Sequence, residues 1–197
     1  SLSKLSQSQC MKGWDLYEYR LKKKNIINPS NINHLEDFEG KVLLVIYEQG
    51  YGDVIQFARY LPILKKICKK VFFLIPRELN DLFSQTNIEI INSENDVIFD
   101  EKIFLMSLPR LMFKAGINYY REDYLNLQFN QENKYFSNNR PNVGLAWSGR
   151  ENYPYDFLRS IPLKNFKKIL ELQNNINFFC IQKDIRQNDK EFYQKYN

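Results

Sequence analysis

The sequence is poor in the side chains that most metal sites and nucleophile sites need. It holds a single histidine, His34, which excludes a histidine-rich metal site and leaves one residue for any Ser–His or Cys–His nucleophile. The three cysteines, Cys10, Cys68 and Cys180, are scattered and form no C-x-x-C pair, which argues against a zinc site or a disulfide framework. No Asp-x-Asp occurs, so a metal-bridged diphosphate is disfavoured. General-base chemistry near neutral pH would therefore fall to a carboxylate.

Signatures of membrane-spanning and disordered chains are also missing. The longest apolar runs, such as 42–46, are far shorter than the roughly 20 residues that cross a bilayer. The chain does not open on a charged segment followed by an apolar stretch, as a signal peptide would. Of its 197 residues, 44% are hydrophobic and 15% aromatic, enough to form a packed core. The apolar surroundings of Cys68 and Cys180 predict buried thiols in a reducing compartment.

Charge gives only a weak indication of partners. The formal net charge is +5, and a mildly basic surface explains it, since lysine clusters at 22–24 and 69–70 suit the ends of helices. Attraction to phosphorylated ligands or to anionic lipid headgroups is the sharper interpretation. No basic stripe with interleaved aromatics occurs, so we expect no nucleic-acid partner.

Apolar runs and amphipathic stretches alternate along the chain. Strands are predicted over 41–47, 71–75, 88–91, 97–99, 124–129, 142–147 and 176–182. Helices are predicted over 11–24, 54–70, 78–84, 107–114 and 162–172, and towards the end of 184–197. This order predicts an α/β fold: a Rossmann-like, mostly parallel sheet with flanking helices, followed by the start of a second α/β lobe. The predicted parts are an N-terminal helix and connector (1–39), a first lobe (40–130), a linker (131–141) and the second lobe (142–197).

The first candidate site follows the first predicted strand. Ligands of open parallel sheets bind beyond the carboxyl ends of the strands, and here the sequence places Gly50, Gly52 and Asp53. The two glycines are expected to let the backbone turn sharply and approach a ligand, although their spacing is neither a dinucleotide nor a P-loop pattern. Asp53 stands where a helix N-cap would. Two interpretations stay open: a carboxylate that caps the helix, and a general base.

A second candidate site follows the first strand of the second lobe. Ser148, the Gly149 amide and Arg150 could hold an anion, and a simple Ser-Gly turn explains them equally well. Ser160 is expected to cap the next helix. Lys183, just past an apolar strand, is placed to meet a phosphate, with a solvated lysine as the alternative.

Several stretches resemble a known family of enzymes. Residues 48–62, which read EQGYGDVIQFARYLP, closely resemble the first loop and helix of bacterial glycosyltransferases linked to tetratricopeptide repeats, themselves similar to the heptosyltransferase family. The stretches MSLP at 106–109, VGLAWSG at 143–149, RSIPL at 159–163 and QK at 182–183 occur in the matching order. Residues 13–20 resemble the segment that joins the repeats to the catalytic part.

The resemblance implies a two-lobed GT-B enzyme with the acceptor on the first lobe and a nucleotide-sugar donor on the second. It makes Asp53 the base that deprotonates the acceptor hydroxyl. The implied substrate-binding residues are Gly50, Gly52, Gln56, Ser148, Gly149, Arg150, Arg159 and Lys183. No cofactor or metal is expected, because backbone amides and cationic side chains would stabilise the leaving diphosphate. The implied acceptor is a glycan, a lipid-linked glycan or a protein, and the implied location is the cytoplasm, with peripheral contact with the inner membrane left open.

The chain departs from the family pattern at three points. Asp184 follows Lys183 where the family tends to have glycine, and the loop 151–158 lacks an expected histidine. A second lobe of usual size needs about 100 or more further residues, so this stretch alone is expected to be inactive. A non-catalytic Rossmann-like interaction module of a repeat protein is the alternative. A small-nucleotide-binding regulator is a weaker one, because Walker and dinucleotide patterns are absent.

Overall fold

A computed structural model describes residues 10–23, 32–117, 123–125, 139–172 and 175–196. The chain divides into two compact units, Ser1–Phe129 and Asn130–Asn197, which are described separately. Residues 126–129 of the strand predicted over 124–129 and most of the predicted linker at 131–141 lie outside the described residues, and Tyr124 and Leu125 are not in a strand. Among the described residues, no helix is long and apolar enough to cross a membrane.

The first unit is an α/β layer structure. Its described helices are α1 (Cys10–Tyr17), α2 (Tyr19–Lys23), α3 (Tyr51–Phe57), α4 (Leu61–Ile67), α5 (Asn80–Phe83) and α6 (Leu108–Lys114). Its described strands are β1 (Val42–Ile46), β2 (Lys70–Leu74), β3 (Glu89–Ile91) and β4 (Glu101–Phe104). Short 3-10 turns cover Leu35–Phe38, Ala58–Tyr60, Arg77–Leu79, Glu94–Asp96 and Leu105–Ser107.

The four strands form one parallel sheet in the order β3-β2-β1-β4. This order is consistent with a Rossmann-like fold, as the alternation of strands and helices predicts. The central residues of β1, Leu43, Leu44 and Val45, are all fully buried. Because successive side chains of a strand point to opposite faces, both faces of the sheet are covered at β1. The carboxyl ends of β1 and β4 lie side by side, with Ile46 paired with Phe104.

Several details of the first unit differ from the prediction. The single helix predicted over 11–24 is divided at Glu18 into α1 and α2. The predicted strand at 97–99 is wrong: these residues have no regular structure, and Ile98 is 93% exposed. The strand begins at Glu101 instead, where the Lys41–Glu101 ion pair joins it to the start of β1. The single helix predicted over 54–70 is divided by a 3-10 turn before α4, because Pro62, at the start of α4, has no N–H to continue the helical ladder.

The N-terminal helices pack on the same core as the sheet. Trp14 of α1 makes edge-to-face contacts with the rings of Tyr17 and Phe57, at 5.6 and 5.8 Å between centroids. Leu21 of α2 is 3% exposed. These contacts bring α1 and α2 to the part of the unit that carries the loop between β1 and α3.

The second unit is smaller. Strands β5 (Asn142–Leu145) and β6 (Asn177–Cys180) pair in parallel, and a 3-10 turn (Leu163–Phe166) and helix α7 (Lys167–Leu170) lie between them in sequence. Helix α8 (Gln187–Tyr196) closes the described chain. Trp147, Leu163 and Leu170 form its core.

Burial of the cysteines differs from the prediction at one position. Cys68 is buried as predicted, whereas the prediction for Cys180 is wrong, because its side chain is exposed. Cys180 is the last residue of a strand in a two-stranded sheet, where neighbouring strands and helices cover less than in a full layer.

Candidate functional site

The loop between β1 and α3 holds the first group of predicted residues. Gly50 is the N-cap of α3, in extended conformation, and Asp53 is the third residue of the helix. The Asp53 carboxylate reaches back, and its Oδ2 accepts a hydrogen bond from the Gly50 N–H at 3.0 Å. The prediction of Asp53 as the N-cap is therefore wrong by three positions. An acidic residue in the first turn that accepts from the N-cap amide is the returning half of a capping box.

The sharp bend of this loop does not come from its glycines. Among the described non-glycine residues, Gln49 is the one with a positive φ, 69°, while Gly50 has φ −88°. The expectation that Gly50 and Gly52 make the turn is therefore wrong. A β-carbon placed on Gly52 would meet no atom within 4 Å. Both glycines are exposed, and because they have no side chain they leave the backbone beside Asp53 accessible to solvent.

Gly50, Gly52 and Asp53 lie together at the carboxyl edge of the sheet, as the sequence predicts. Asp53 is half-buried, and Gln56 lies one helical turn further along α3 with an exposed side chain. The backbone carbonyl of Gln56 accepts from Arg59 Nε at 2.7 Å. The result is a surface on which a half-buried carboxylate lies beside exposed backbone.

Directly before this loop lies a buried ion pair that sequence reasoning missed. Glu48 follows β1 and is 9% exposed. Arg20 of α2 donates to it twice, from Nε to Oε2 at 3.1 Å and from Nη2 to Oε1 at 2.5 Å. The Met106 N–H also donates to Glu48 Oε1, at 3.2 Å. Both oxygens of the Glu48 carboxylate are thus held by groups from α2 and from the 3-10 turn that follows β4.

The network extends to a second carboxylate. Arg20 Nη1 donates to Glu18 Oε1 at 2.8 Å, and the Ser107 hydroxyl, which accepts from Arg20 Nη2, donates to Glu18 Oε2 at 3.0 Å. Burial lowers the pKa of the Arg20 guanidinium, but the hydrogen bonds and charges of Glu48 and Glu18 raise it, and the net direction is upward. Arg20 is therefore a permanent cation in this cluster. The one sequence signal that could have found it is Glu48, a charged residue directly after a buried strand.

In the second unit, the loop after β5 holds the second group of predicted residues. The N–H groups of Trp147 and Ser148 both donate to Gln182 Oε1, each at 3.0 Å. The Gly149 N–H donates to the Ser160 hydroxyl at 2.9 Å. The backbone amides at this strand end thus already hold side-chain oxygens, and an anion bound there would take the place of Gln182 or Ser160.

A buried carboxylate organises this loop. Asp156 is 7% exposed; its Oδ1 accepts from the Ser160 hydroxyl at 2.6 Å, and its Oδ2 accepts from Arg186 Nη2. These two hydrogen bonds, the Ser160 bond first, lower the pKa of Asp156 below its ordinary value. Arg186 Nη2 also donates to the Gly149 carbonyl at 3.1 Å. Ser160, expected to cap a helix, instead joins Gly149 to Asp156; Pro162 precedes the following 3-10 turn.

The predicted cations of the second unit differ in their surroundings. The Arg159 guanidinium lies 4.3 Å from the centre of the Tyr153 ring and packs directly on Gly149, where a β-carbon would stand 2.7 Å from Arg159 Nε. A side chain at position 149 would displace the Arg159 guanidinium from this position. Arg150 and Lys183 are exposed.

A cavity of about 390 Å³ lies beside this network. Its lining combines rings, carboxylates and hydroxyls: Ser148, Glu151, Tyr153, Pro154, Asp156, Phe157, Ser160, Ile161, Pro162, Arg186, Asn188 and Asp189. Within the described part of the chain, two buried polar side-chain atoms lack a hydrogen-bond partner, Ser148 Oγ and Arg186 Nε, and both belong to residues of this lining. Of the predicted binding residues, Ser148 alone lines the cavity.

Among residues 10–23, 32–117, 123–125, 139–172 and 175–196, no group of three His, Cys, Asp or Glu side chains could hold a metal ion. No protein-family model, no curated protein and no solved structure matches this chain.

Proposed function

We propose that this chain is part of a metal-independent glycosyltransferase, with Asp53 as the general base. The observation that carries the proposal is the position of Asp53 at the carboxyl edge of a parallel sheet, where ligands of such sheets bind. Its Oδ2 is held by the Gly50 N–H at 3.0 Å. No described residue donates a hydrogen bond to its Oδ1, which is the oxygen we assign to the proton of the acceptor.

The proposed step is a single displacement. Asp53 takes the proton of the acceptor hydroxyl while the hydroxyl oxygen bonds to the anomeric carbon of the donor sugar. The bond from that carbon to the diphosphate breaks, and the diphosphate leaves with the electron pair. General-base assistance of this kind contributes about 10²–10⁴-fold.

The second unit supplies the groups proposed for the nucleotide-sugar donor. Arg150 and Lys183 are exposed cations, and Arg159 covers Gly149. Cationic side chains placed where negative charge develops would stabilise the leaving diphosphate. Ser148, at the cavity, is proposed to contact the same donor. These roles rest on the resemblance of the loop to a second GT-B lobe.

The proposal also covers the setting of the enzyme. The acceptor is a glycan, a lipid-linked glycan or a protein, and the bacterial enzyme would follow tetratricopeptide repeats and work in the cytoplasm. A lipid-linked acceptor would require peripheral contact with the inner membrane.

The test measures release of nucleoside diphosphate from a panel of nucleotide sugars, using the full-length protein as the source cell makes it. The variant Asp53→Asn keeps an oxygen that can accept from the Gly50 N–H but removes the base, so we expect turnover to fall by about 100-fold or more with the fold intact. Asp37→Asn is the matched control: Asp37 Oδ2 accepts backbone N–H groups before β1, from His34 at 3.0 Å and Asn33 at 3.1 Å. Control turnover should equal that of the wild type.

Two results would contradict the proposal. Unchanged turnover in Asp53→Asn would remove Asp53 as the base. Binding of nucleotide sugars or glycans by calorimetry, with no turnover in the wild type, would support the alternative of a non-catalytic module.

A further inference from the structure

The loop that carries Asp53 is attached to the N-terminal helices at two consecutive residues. The Glu48 carboxylate receives two hydrogen bonds from Arg20. The next residue, Gln49, donates its side-chain Nε2 to the Tyr17 hydroxyl. Tyr17 closes α1 and Arg20 lies in α2, so residues about 30 positions earlier in the chain fix the backbone that leads into Gly50.

Gln49 lies in a backbone conformation that favours glycine. Its φ of 69° is in the left-handed region, which L residues with a β-carbon rarely adopt. A turn alone would be served better by glycine at this position, and a glycine stands next to it at position 50 without using that freedom. The hydrogen bond from Gln49 to Tyr17 gives glutamine a role that glycine cannot fill.

Gln49 also sets the direction of the hydrogen bond to Asp53. The Gly50 N–H belongs to the peptide plane between Gln49 and Gly50, so its direction follows the ψ angle of Gln49. That N–H donates to Asp53 Oδ2 at 3.0 Å. A rotation at Gln49 would turn the donor away and release the Asp53 carboxylate to other rotamers.

We infer that Tyr17 and Arg20 are positioning residues for Asp53: through Gln49 and Glu48 they hold the Gly50 N–H against the Asp53 carboxylate. The catalytic consequence of this role rests on the proposed function. The positioning itself does not, because it is a statement about the Gly50 amide. The four residues Tyr17, Arg20, Glu48 and Gln49 are called the loop clamp below.

The test uses Tyr17→Phe, which removes the hydroxyl and keeps the ring. The ring contacts with Trp14, at 5.6 Å, and with the Arg20 guanidinium, at 4.7 Å, remain possible, so the unit should keep its unfolding midpoint. Tyr19→Phe is the control, because Tyr19 is the same residue type two positions later, at the start of α2, and is 60% exposed. The first readout is the ¹H–¹⁵N resonance of the Gly50 amide and its rate of hydrogen exchange.

We expect the Gly50 resonance to shift and its exchange to accelerate by about tenfold in Tyr17→Phe, and neither to change in Tyr19→Phe. The second variant, Arg20→Lys, keeps the cation but loses the two-pronged bond to Glu48, and should give the same change. A Gly50 amide that stays at its wild-type position and exchange rate in both variants would overturn the inference.

The second readout separates the inference from the proposed function. With an active wild type, we expect kcat to fall about tenfold in Tyr17→Phe with KM for the nucleotide sugar unchanged, since misplacing a catalytic group by about 1 Å can cost about 100-fold. Full activity together with an altered Gly50 amide would overturn the catalytic consequence of the loop clamp. If neither the wild type nor any variant turns over a nucleotide sugar while the Gly50 amide responds as expected, the proposed function fails. The inference that the loop clamp positions the Gly50 amide is then still supported.

Discussion

Replacing Gly52 with alanine should stabilise the first unit. Gly52 is the second residue of α3, and a β-carbon there meets no atom within 4 Å. Alanine loses less backbone entropy on folding than glycine, so a helical glycine with open space around it gains about 0.4–1 kcal/mol on this change. With an m value of about 2 kcal/mol per molar urea, the unfolding midpoint should rise by about 0.2–0.5 M.

Gly116→Ala is the matched control with the opposite expected sign. Gly116 follows α6, has φ 76°, and also has open space at its β-carbon. The Gly116 N–H donates to the Phe113 carbonyl and the Ile117 N–H to the Met112 carbonyl, which is the Schellman pattern of a helix end. A β-carbon in the left-handed region costs about 1–2 kcal/mol, so the midpoint should fall.

The two sites differ in φ and not in the space available to a β-carbon. Urea unfolding of both variants therefore isolates the contribution of backbone conformation to the free energy of unfolding. The assay follows circular dichroism and requires an unchanged m value. A midpoint that falls in Gly52→Ala as much as in Gly116→Ala would refute the assignment of Gly52 to a regular helix turn. It would also revive the expectation that this glycine makes the bend.

Two further predictions concern titratable groups. Hydrogen bonds lower the pKa of Asp156 in the folded protein. The charged carboxylate therefore stabilises the fold at any pH above the pKa of aspartate in the unfolded chain, which is about 3.9. This stabilisation is lost as the pH falls through the pKa of the folded state. The difference in urea midpoint between wild type and Asp156→Asn should therefore shrink from pH 7 to pH 3; a constant difference would contradict the ion pair with Arg186. Burial raises the pKa of Cys68 to about 11. A thiol reagent at pH 8 should therefore modify the exposed Cys180 first and Cys68 only on unfolding. Rapid modification of Cys68 in the folded protein would contradict the burial of its thiol.

The sequence allowed the sheet to be predicted where burial is nearly complete. The run 42–46 is apolar throughout, as expected for a strand whose two faces are both covered, because such a strand has apolar side chains at every position. The same rule failed at 97–99, an equally apolar triplet in which Ile98 is 93% exposed, and the strand begins instead with Glu101 and Lys102. Those charges are tolerated because Lys102 pairs with Glu94 and Glu101 with Lys41. Composition therefore does not locate a short strand when charged residues at its end are stabilised by ion pairs and are not covered by apolar side chains.

The candidate site was predictable in position but not in conformation. A loop after a buried strand and before a helix had to lie at the carboxyl edge of the sheet, which placed Gly50, Gly52 and Asp53 correctly. The sequence contains no local signal that Gln49 would take the left-handed conformation beside an adjacent glycine. The hydroxyl that its side chain contacts belongs to Tyr17, 32 positions away in the chain.

The Arg20–Glu48 pair shows why the loop clamp is more than a source of stability. Burying two charges costs solvation free energy, and their attraction recovers it only with good geometry. A pair of apolar side chains of similar volume often stabilises a fold as well as a buried ion pair does, or better. Removing one partner of a buried pair, in contrast, costs about 3–5 kcal/mol, so Glu48→Leu should weaken the first unit more than the double variant with Arg20→Leu. An apolar pair could fill the same space, but it could not fix the angle of the backbone at residue 48, because dispersion contacts have no direction. Three directed hydrogen bonds to one carboxylate do fix it, and the residue two positions later donates to Asp53.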